Sequence, residues 1–194
     1  MYYATIGLLA VLVLFIVNQD ILLHPEVSYN KPVWNVYRRF LFAVLIYYIV
    51  DISWGILENQ KLVDALFIDT TIYFVAMAVG ISFWAEYTVA YLEEKNIFGR
   101  FLIHVGRCIA VVITILVIVN IFTPVLFTVD ASCVYHDLPI RDIMLVCQIM
   151  MLLIISIYAF ASMFKIDRSN EKRSRYRILA SFGFIMALCL FIQL

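Results

Sequence analysis

Six apolar stretches, separated by short polar segments, constrain this chain more than any motif in it. A helix needs about 20 consecutive apolar residues to cross roughly 30 Å of hydrocarbon. Runs of that order recur near residues 3–23, 40–57, 65–91, 101–123, 140–164 and 177–194. The rest of the composition leaves no soluble alternative. Only 14% of the residues are charged and 65% are hydrophobic, where a soluble domain of similar length is about a quarter charged. The expected fold is an all-α polytopic membrane helix bundle of about six transmembrane helices, forming a single domain over residues 1–194.

The formal net charge of +0 hides an uneven distribution. The segment from His24 to Arg39 carries Lys31, Arg38 and Arg39, and that from Leu92 to Arg107 carries Lys95, Arg100 and Arg107. Between Lys165 and Arg177 lie Lys165, Arg168, Lys172, Arg173, Arg175 and Arg177. These alternate segments hold 12 of the 14 basic residues, and the intervening ones hold only Lys61 and Arg141. Basic residues in short loops resist translocation, so the rich loops are expected inside and the N-terminus outside. Six spans then return the chain to the outer side at Leu194, at the edge of its last apolar stretch. A truncated seventh span explains that ending better than a natural stop.

The first stretch reads as a retained span. Its start, Met1-Tyr2-Tyr3, has no basic region, and its end, Asn18-Gln19-Asp20, has no small-residue cleavage pattern. Pro25, Pro32, Pro124 and Pro139 fall at or near span ends, where a missing backbone donor is harmless. Trp34, Tyr37, Trp54 and Tyr91 sit where an interfacial aromatic belt is expected. Internal repeats and low-complexity tracts are absent from the sequence.

Any chemistry must come from polar groups in the spans. Asp51 lies roughly 11 residues, about 16 Å, from the inner end of the second span, near the bilayer midplane. A charge at such depth costs about 2.5–3.5 kcal/mol on insertion scales, so it should not face lipid. Asp51, Gly55 and Glu58 share a helix face at i, i+4 and i+7, and Asp69, Thr70 and Tyr73 lie at comparable depth in the third span. Two arrangements are open. Asp51, Trp54, Glu58, Asp69 and Tyr73 can line an outward-facing ligand pocket, or a protonated Asp51 can bond a neighbouring hydroxyl and join helices. Towards the inner end of the third span, Glu86 is expected to pair with Arg38, Arg39, Arg100 or Arg107. Such a pair either locks packing or, with Arg38 and Arg39, forms a coupling element.

On the outer side Asp51, Glu58, Asp64, Asp69, Asp130, Asp137 and Asp142 face only Lys61 and Arg141. That excess favours cations or amines as ligands, and is equally the ordinary complement of a basic inner side. Cys108, Cys147 and Cys189 belong to spans as packing residues, and Cys133 has no obvious disulfide partner in its loop. Cys133, His136 and Asp137 are too few and too irregular for a metal site, and His104 reads as interfacial. A phosphate-binding glycine loop, a zinc-protease motif and a nucleophile elbow are all missing from the sequence. No catalytic residue, metal or cofactor is therefore assigned. The basic segment Lys165–Arg177 marks topology and contact with anionic lipid, so membrane lipids are expected partners and nucleic acid is not.

Four stretches carry a resemblance: Tyr2-Tyr3-Ala4-Thr5-Ile6-Gly7 through Asn18-Gln19-Asp20, Val36-Tyr37-Arg38-Arg39-Phe40, Asp51-Ile52-Ser53-Trp54-Gly55 and Tyr91-Leu92-Glu93-Glu94-Lys95. They resemble the multi-spanning N-terminal membrane sensory region found ahead of bacterial diguanylate cyclase domains. The resemblance implies a sensor in the bacterial cytoplasmic membrane, an unknown small ligand, and a cytoplasmic output domain that makes cyclic di-GMP. It also implies a homodimer, because two cyclase active-site halves must meet. The Gly-Gly-Asp-Glu-Phe signature of the cyclase is not in this sequence, so that activity would belong to a parent protein. The competing expectation is a small stand-alone transporter or channel that uses the intramembrane carboxylates Asp51, Asp69 and Glu86. Paired broken helices and symmetric halves, which would favour transport, are not evident in the sequence.

Overall fold

A computed structural model describes residues 2–23, 31–92, 96–166 and 171–192. Among them run six helices: α1 (Tyr2–Leu23), α2 (Lys31–Asn59), α3 (Val63–Tyr91), α4 (Ile97–Phe122), α5 (Pro139–Phe164) and α6 (Glu171–Ile192). Pro25, Lys95, Arg168, the Glu93-Glu94-Lys95 part of the resemblance, and the last two residues of the sixth expected span lie outside the described residues. The fold is an all-α bundle. Five helices, α2 to α6, are long and apolar enough to cross a membrane, and the described side chains of α1 form a shorter apolar helix over Gly7–Leu23.

Helices and expected spans differ most at the starts of α2 and α6. α2 starts nine residues before the apolar run near residue 40, and α6 starts six residues before residue 177. Hydropathy marks where hydrocarbon ends, not where the backbone stops helical bonding. Arg38, Arg39, Lys172 and Arg173 therefore continue their helices beyond the apolar segment. Two prolines take positions that need no amide donor: Pro32 is the second residue of α2, and Pro139 opens α5.

Packing follows chain order around one axis. α1 packs on α2, α2 on α3, α3 on α4 and on α5, and α6 on α5. α3 is the most enclosed element, with small residues Ala76, Ala78, Gly80, Ser82 and Ala85 all buried. Small side chains let neighbouring backbones approach closely, the main source of helix association where lipid tails are as apolar as leucine. α4 shows the two-faced alternative. Gly106, Ala110, Ile113, Val117 and Asn120 are buried at helical spacing, while Val111, Val112, Ile115, Ile118 and Phe122 are exposed. Comparable exposed apolar faces on α1, α5 and α6 are the surface a bilayer covers.

Aromatic rings hold both ends of α3. At one end Trp84 packs on Phe40 of α2 at 5.1 Å and on Phe182 of α6 at 5.0 Å, and Tyr87 meets Tyr37 at 4.7 Å. At the other end Phe67 and Phe74 lie 5.1 and 5.6 Å from Phe127. Phe127 belongs to a short antiparallel hairpin, β1 (Phe127–Val129) and β2 (Tyr135–Asp137), in the segment expected to be an outer loop. Asn120, buried in the last turn of α4, fastens this hairpin. Its Oδ1 accepts from the amides of Val125 and Leu126 at 2.7 Å and Phe127 at 3.3 Å, and its Nδ2 donates to the Phe127 carbonyl at 3.1 Å.

Asn18 and Gly183 set the approach of α1 and α6. Asn18 breaks the regular dihedrals of α1 (φ −116°, ψ 16°) and donates to the Leu14 carbonyl at 2.9 Å, while Tyr37 of α2 donates to its Oδ1 at 2.9 Å. A side-chain bond back to the i−4 carbonyl is a recognised cause of a helix bend. On α6, a Cβ at Gly183 would collide with the Ser156 hydroxyl and lie 3.4 Å from Trp84 Nε1. Gly183→Leu is therefore expected to cost about 1–3 kcal/mol by overpacking. Asn120→Ala, which strands buried amides, should cost at least as much, at about 1–3 kcal/mol per orphaned group. Thermal melts of the purified protein in one detergent check both, and a wild-type midpoint for either variant contradicts the packing described.

Candidate functional site

The polar residues of the spans gather at two levels along α3. The first lies between α2 and α3. Ser53 of α2 donates to Asp69 Oδ1 at 2.6 Å, and the hydroxyls of Tyr47 and Tyr73 lie 3.2 Å apart with their rings 4.9 Å centre to centre. The pairing follows from antiparallel helices: Asp69 and Tyr73 are one turn apart on α3 and meet residues advancing the other way on α2. Asp69 is buried, and its Oδ2 has no hydrogen-bond partner among the described residues.

Of the five residues expected to line an outer pocket, the structure brings Asp69 and Tyr73 into this cluster. Asp51 and Trp54 stand half-buried on α2, and Glu58 is exposed at its C-terminal end. The bond joining the two helices is made by Asp69 with Ser53, whereas the sequence pointed to Asp51 for that role. Ser53 and Tyr47 were not among the expected site residues. Both carry a single hydroxyl within an apolar run, and only the register of α2 on α3 shows that they oppose Asp69 and Tyr73.

The second level lies at the opposite end of α3. Glu86 is buried and accepts from Arg107 Nε of α4 at 2.6 Å. The carboxylate therefore takes its partner from α4, while Arg38 of α2 lies over the Phe42 ring at 5.9 Å and Arg39 is exposed. The α3–α4 connection beside this pair is tied by two tyrosines. Tyr176 of α6 donates to the Leu92 carbonyl at 3.0 Å, and Tyr158 of α5 donates to Asn96 Oδ1 at 3.2 Å. Asn96 also caps α4 by accepting from the Gly99 amide at 2.6 Å. Asp69 and Glu86 are 17 residues apart, about 26 Å along the axis. Both sit roughly one and a half turns inside the ends of α3, close to the limits of a 30 Å hydrocarbon core.

A third polar group, Gln148 of α5, is fully buried, and neither atom of its amide is hydrogen-bonded among the described residues. Its signal in the sequence was a lone amide inside the apolar run Met144–Met151, as Asn120 is inside its own.

The hairpin and the start of α5 carry a further set of charges. Asp130 Oδ1 accepts from the Ser132 hydroxyl at 2.7 Å and from the amides of Ser132 and Val134 at 2.9 Å each, and His136 Nε2 lies 3.3 Å from Oδ2. The Ser132 hydroxyl first, then the Val134 amide, hold this carboxyl well below the usual carboxylate range. Burial against Phe127 pushes the Tyr135 phenol up to about 12. Arg141 bonds Asp142 at 2.9 Å and Asp137 at 3.5 Å. Among the described residues, His, Cys, Asp and Glu form no group of three that could hold a metal ion; Cys133 is buried at the turn with φ 66°.

These features define a class: a multi-pass helical membrane protein whose span carboxylates, Asp69 and Glu86, are each bonded across a helix interface. No family model, curated protein or solved structure matches the chain.

Two outcomes follow. Ser53→Ala removes the donor to Asp69 and should lower stability by about 1.5–3 kcal/mol, the range for bonds to charged groups, which a detergent melt reads directly. For Asp130 the folded value is depressed. Its contribution to the hairpin is complete above the unfolded aspartate value and is lost only as pH falls through the folded one. The Asp130 carboxyl carbon should thus stay ionised when pH is lowered to about 3.9, the ordinary aspartate value, in a labelled-carbon titration. Half-protonation at or above that pH contradicts the turn geometry.

Proposed function

We propose that this chain is a membrane-embedded sensory input module that couples an extracellular or membrane-borne signal to a cytoplasmic output domain. The observation that carries the reading is the double attachment of α3. One end grips α2 through Asp69 and Ser53, and the other grips α4 through Glu86 and Arg107. A rigid helix tied to different neighbours at its two ends transmits a shift at one interface to the other. The signal would enter around Asp51, Trp54, Asp69 and Tyr73, where the buried Asp69 Oδ2 has no hydrogen-bond partner among the described residues. The Glu86–Arg107 pair is the coupling contact.

The charge distribution supports an N-terminus outside and the Glu86 end inside, and a bacterial cytoplasmic membrane is what the resemblance implies. By the resemblance of its four stretches, the output is a diguanylate cyclase in the parent protein, acting as a homodimer. Catalysis belongs to that domain, and this chain supplies its control.

In cells carrying the parent protein, Asp69→Asn and Glu86→Gln should each change cyclic di-GMP output at least about fivefold, in keeping with a coupling energy of 1–3 kcal/mol. Membrane abundance should stay unchanged. Wild-type output from both variants overturns the reading. Ion or solute uptake into vesicles that is lost in Asp69→Asn would replace it with a transporter or channel.

A further inference from the structure

Glu86 bonds Arg107 through Nε, the edge donor of the guanidinium. An arginine has five N–H donors in a planar fork. The pair therefore orients Arg107 and leaves its terminal nitrogens for another acceptor. The Arg107 side chain is 57% exposed although it belongs to a spanning helix. Above it on α4, Arg100 and His104 are also exposed, at i−7 and i−3. The three form one strip leading from the start of α4 down to Arg107.

The strip changes character below that point. Val111 and Thr114 follow at i+4 and i+7, and with Ala110, Ile115 and Val79 of α3 they line an almost wholly apolar groove of about 240 Å³. Val79 lies seven residues before Glu86, so the same faces of α3 and α4 hold both the ion pair and the groove. The groove opens where Ala110 presents only a methyl group to the seam, beside the close contact of Gly106 with Ala85 and Ser82. A cationic head region thus continues, two turns along the same seam, into an apolar slot facing the hydrocarbon.

We propose that the α3–α4 seam is a binding site for an anionic glycerophospholipid, with its phosphate held by Arg107, Arg100 and His104 and one acyl chain lying in the groove. Charge complementarity selects the occupant. The fork of an oriented arginine matches the oxygens of a phosphodiester; the basic strip disfavours the added cation of a zwitterionic headgroup, and a free phosphate has no chain to lay in the groove. Glu86 is a positioning residue here: it aims the guanidinium without touching the lipid. The inference is independent of the sensory reading and needs no output domain.

The test is native mass spectrometry of the purified full chain, incubated in detergent with an equimolar mixture of dioleoyl phosphatidylglycerol and dioleoyl phosphatidylcholine. The expected result is a retained phosphatidylglycerol adduct favoured roughly tenfold, the value of one charge-assisted hydrogen bond, and undiminished by inorganic phosphate. Arg107→Gln should reduce that preference to near parity. Val111→Trp, an exposed position that fills the groove without touching the ion pair, should remove the adduct while leaving the melting midpoint unchanged. It keeps the test decisive if Arg107→Gln does not fold. Equal retention of the two lipids by the wild type overturns the proposal. So does a preference that survives Val111→Trp, or one abolished by Lys172→Gln with Arg175→Gln, which would place the lipid at the start of α6.

Discussion

The enclosure of α3 governs the rest of the molecule. A helix surrounded by α2, α4, α5 and β1 offers its polar side chains few partners: Thr70 and Thr71 bond their own i−4 carbonyls, and a carboxylate must find a donor on another helix. Asp69 and Glu86 find such partners, Ser53 and Arg107, near the ends of the buried stretch. Between them the helix shows small residues to its neighbours, so its position along the bundle axis is set by the polar contacts at its ends and by the aromatic clusters around them. Moving α3 without breaking one of these contacts is difficult. On that physical basis α3 is proposed as the transmitting element.

The two ends are built differently. Around Trp84 and Tyr87, rings from α2, α3 and α6 interlock, and tyrosines of α5 and α6 bond the α3–α4 connection directly. Around Phe127, a hairpin outside the helices is pinned by a single buried amide, Asn120, and by ring contacts to Phe67 and Phe74. The hairpin therefore bears on the same helix as Asp69. Anything that displaced it would act on α3 through these rings and on α4 through Asn120.

The Glu86–Arg107 pair serves two roles at once. Buried carboxylates are costly unless paired and hydrogen-bonded, and this one has its partner within 2.6 Å. Yet the partner is itself more than half exposed, which places an oriented cation at the lipid boundary. One interaction thus both joins α3 to α4 and presents charge outward, which is the basis of the lipid site proposed at that seam.

Hydropathy by itself determined the class of this protein and the existence of its helices, because the hydrocarbon core imposes a length and a composition on anything that crosses it. It also singled out Asp69, Tyr73 and Glu86 as polar groups in apolar surroundings, and the structure places all three at helix interfaces. Partnerships were not legible. Whether Glu86 met Arg38, Arg39, Arg100 or Arg107, and whether Asp51 or Asp69 joined the helices, depended on rotations of about 100° per residue that charge and hydropathy do not encode. The starts of α2 and α6 escaped for a related reason, as the polar turns beyond the bilayer edge stay helical without being apolar. The hairpin escaped because three-residue strands carry almost no periodic signal. Tertiary packing decided these features by fixing which face of each helix is buried, and hence which polar groups could reach one another.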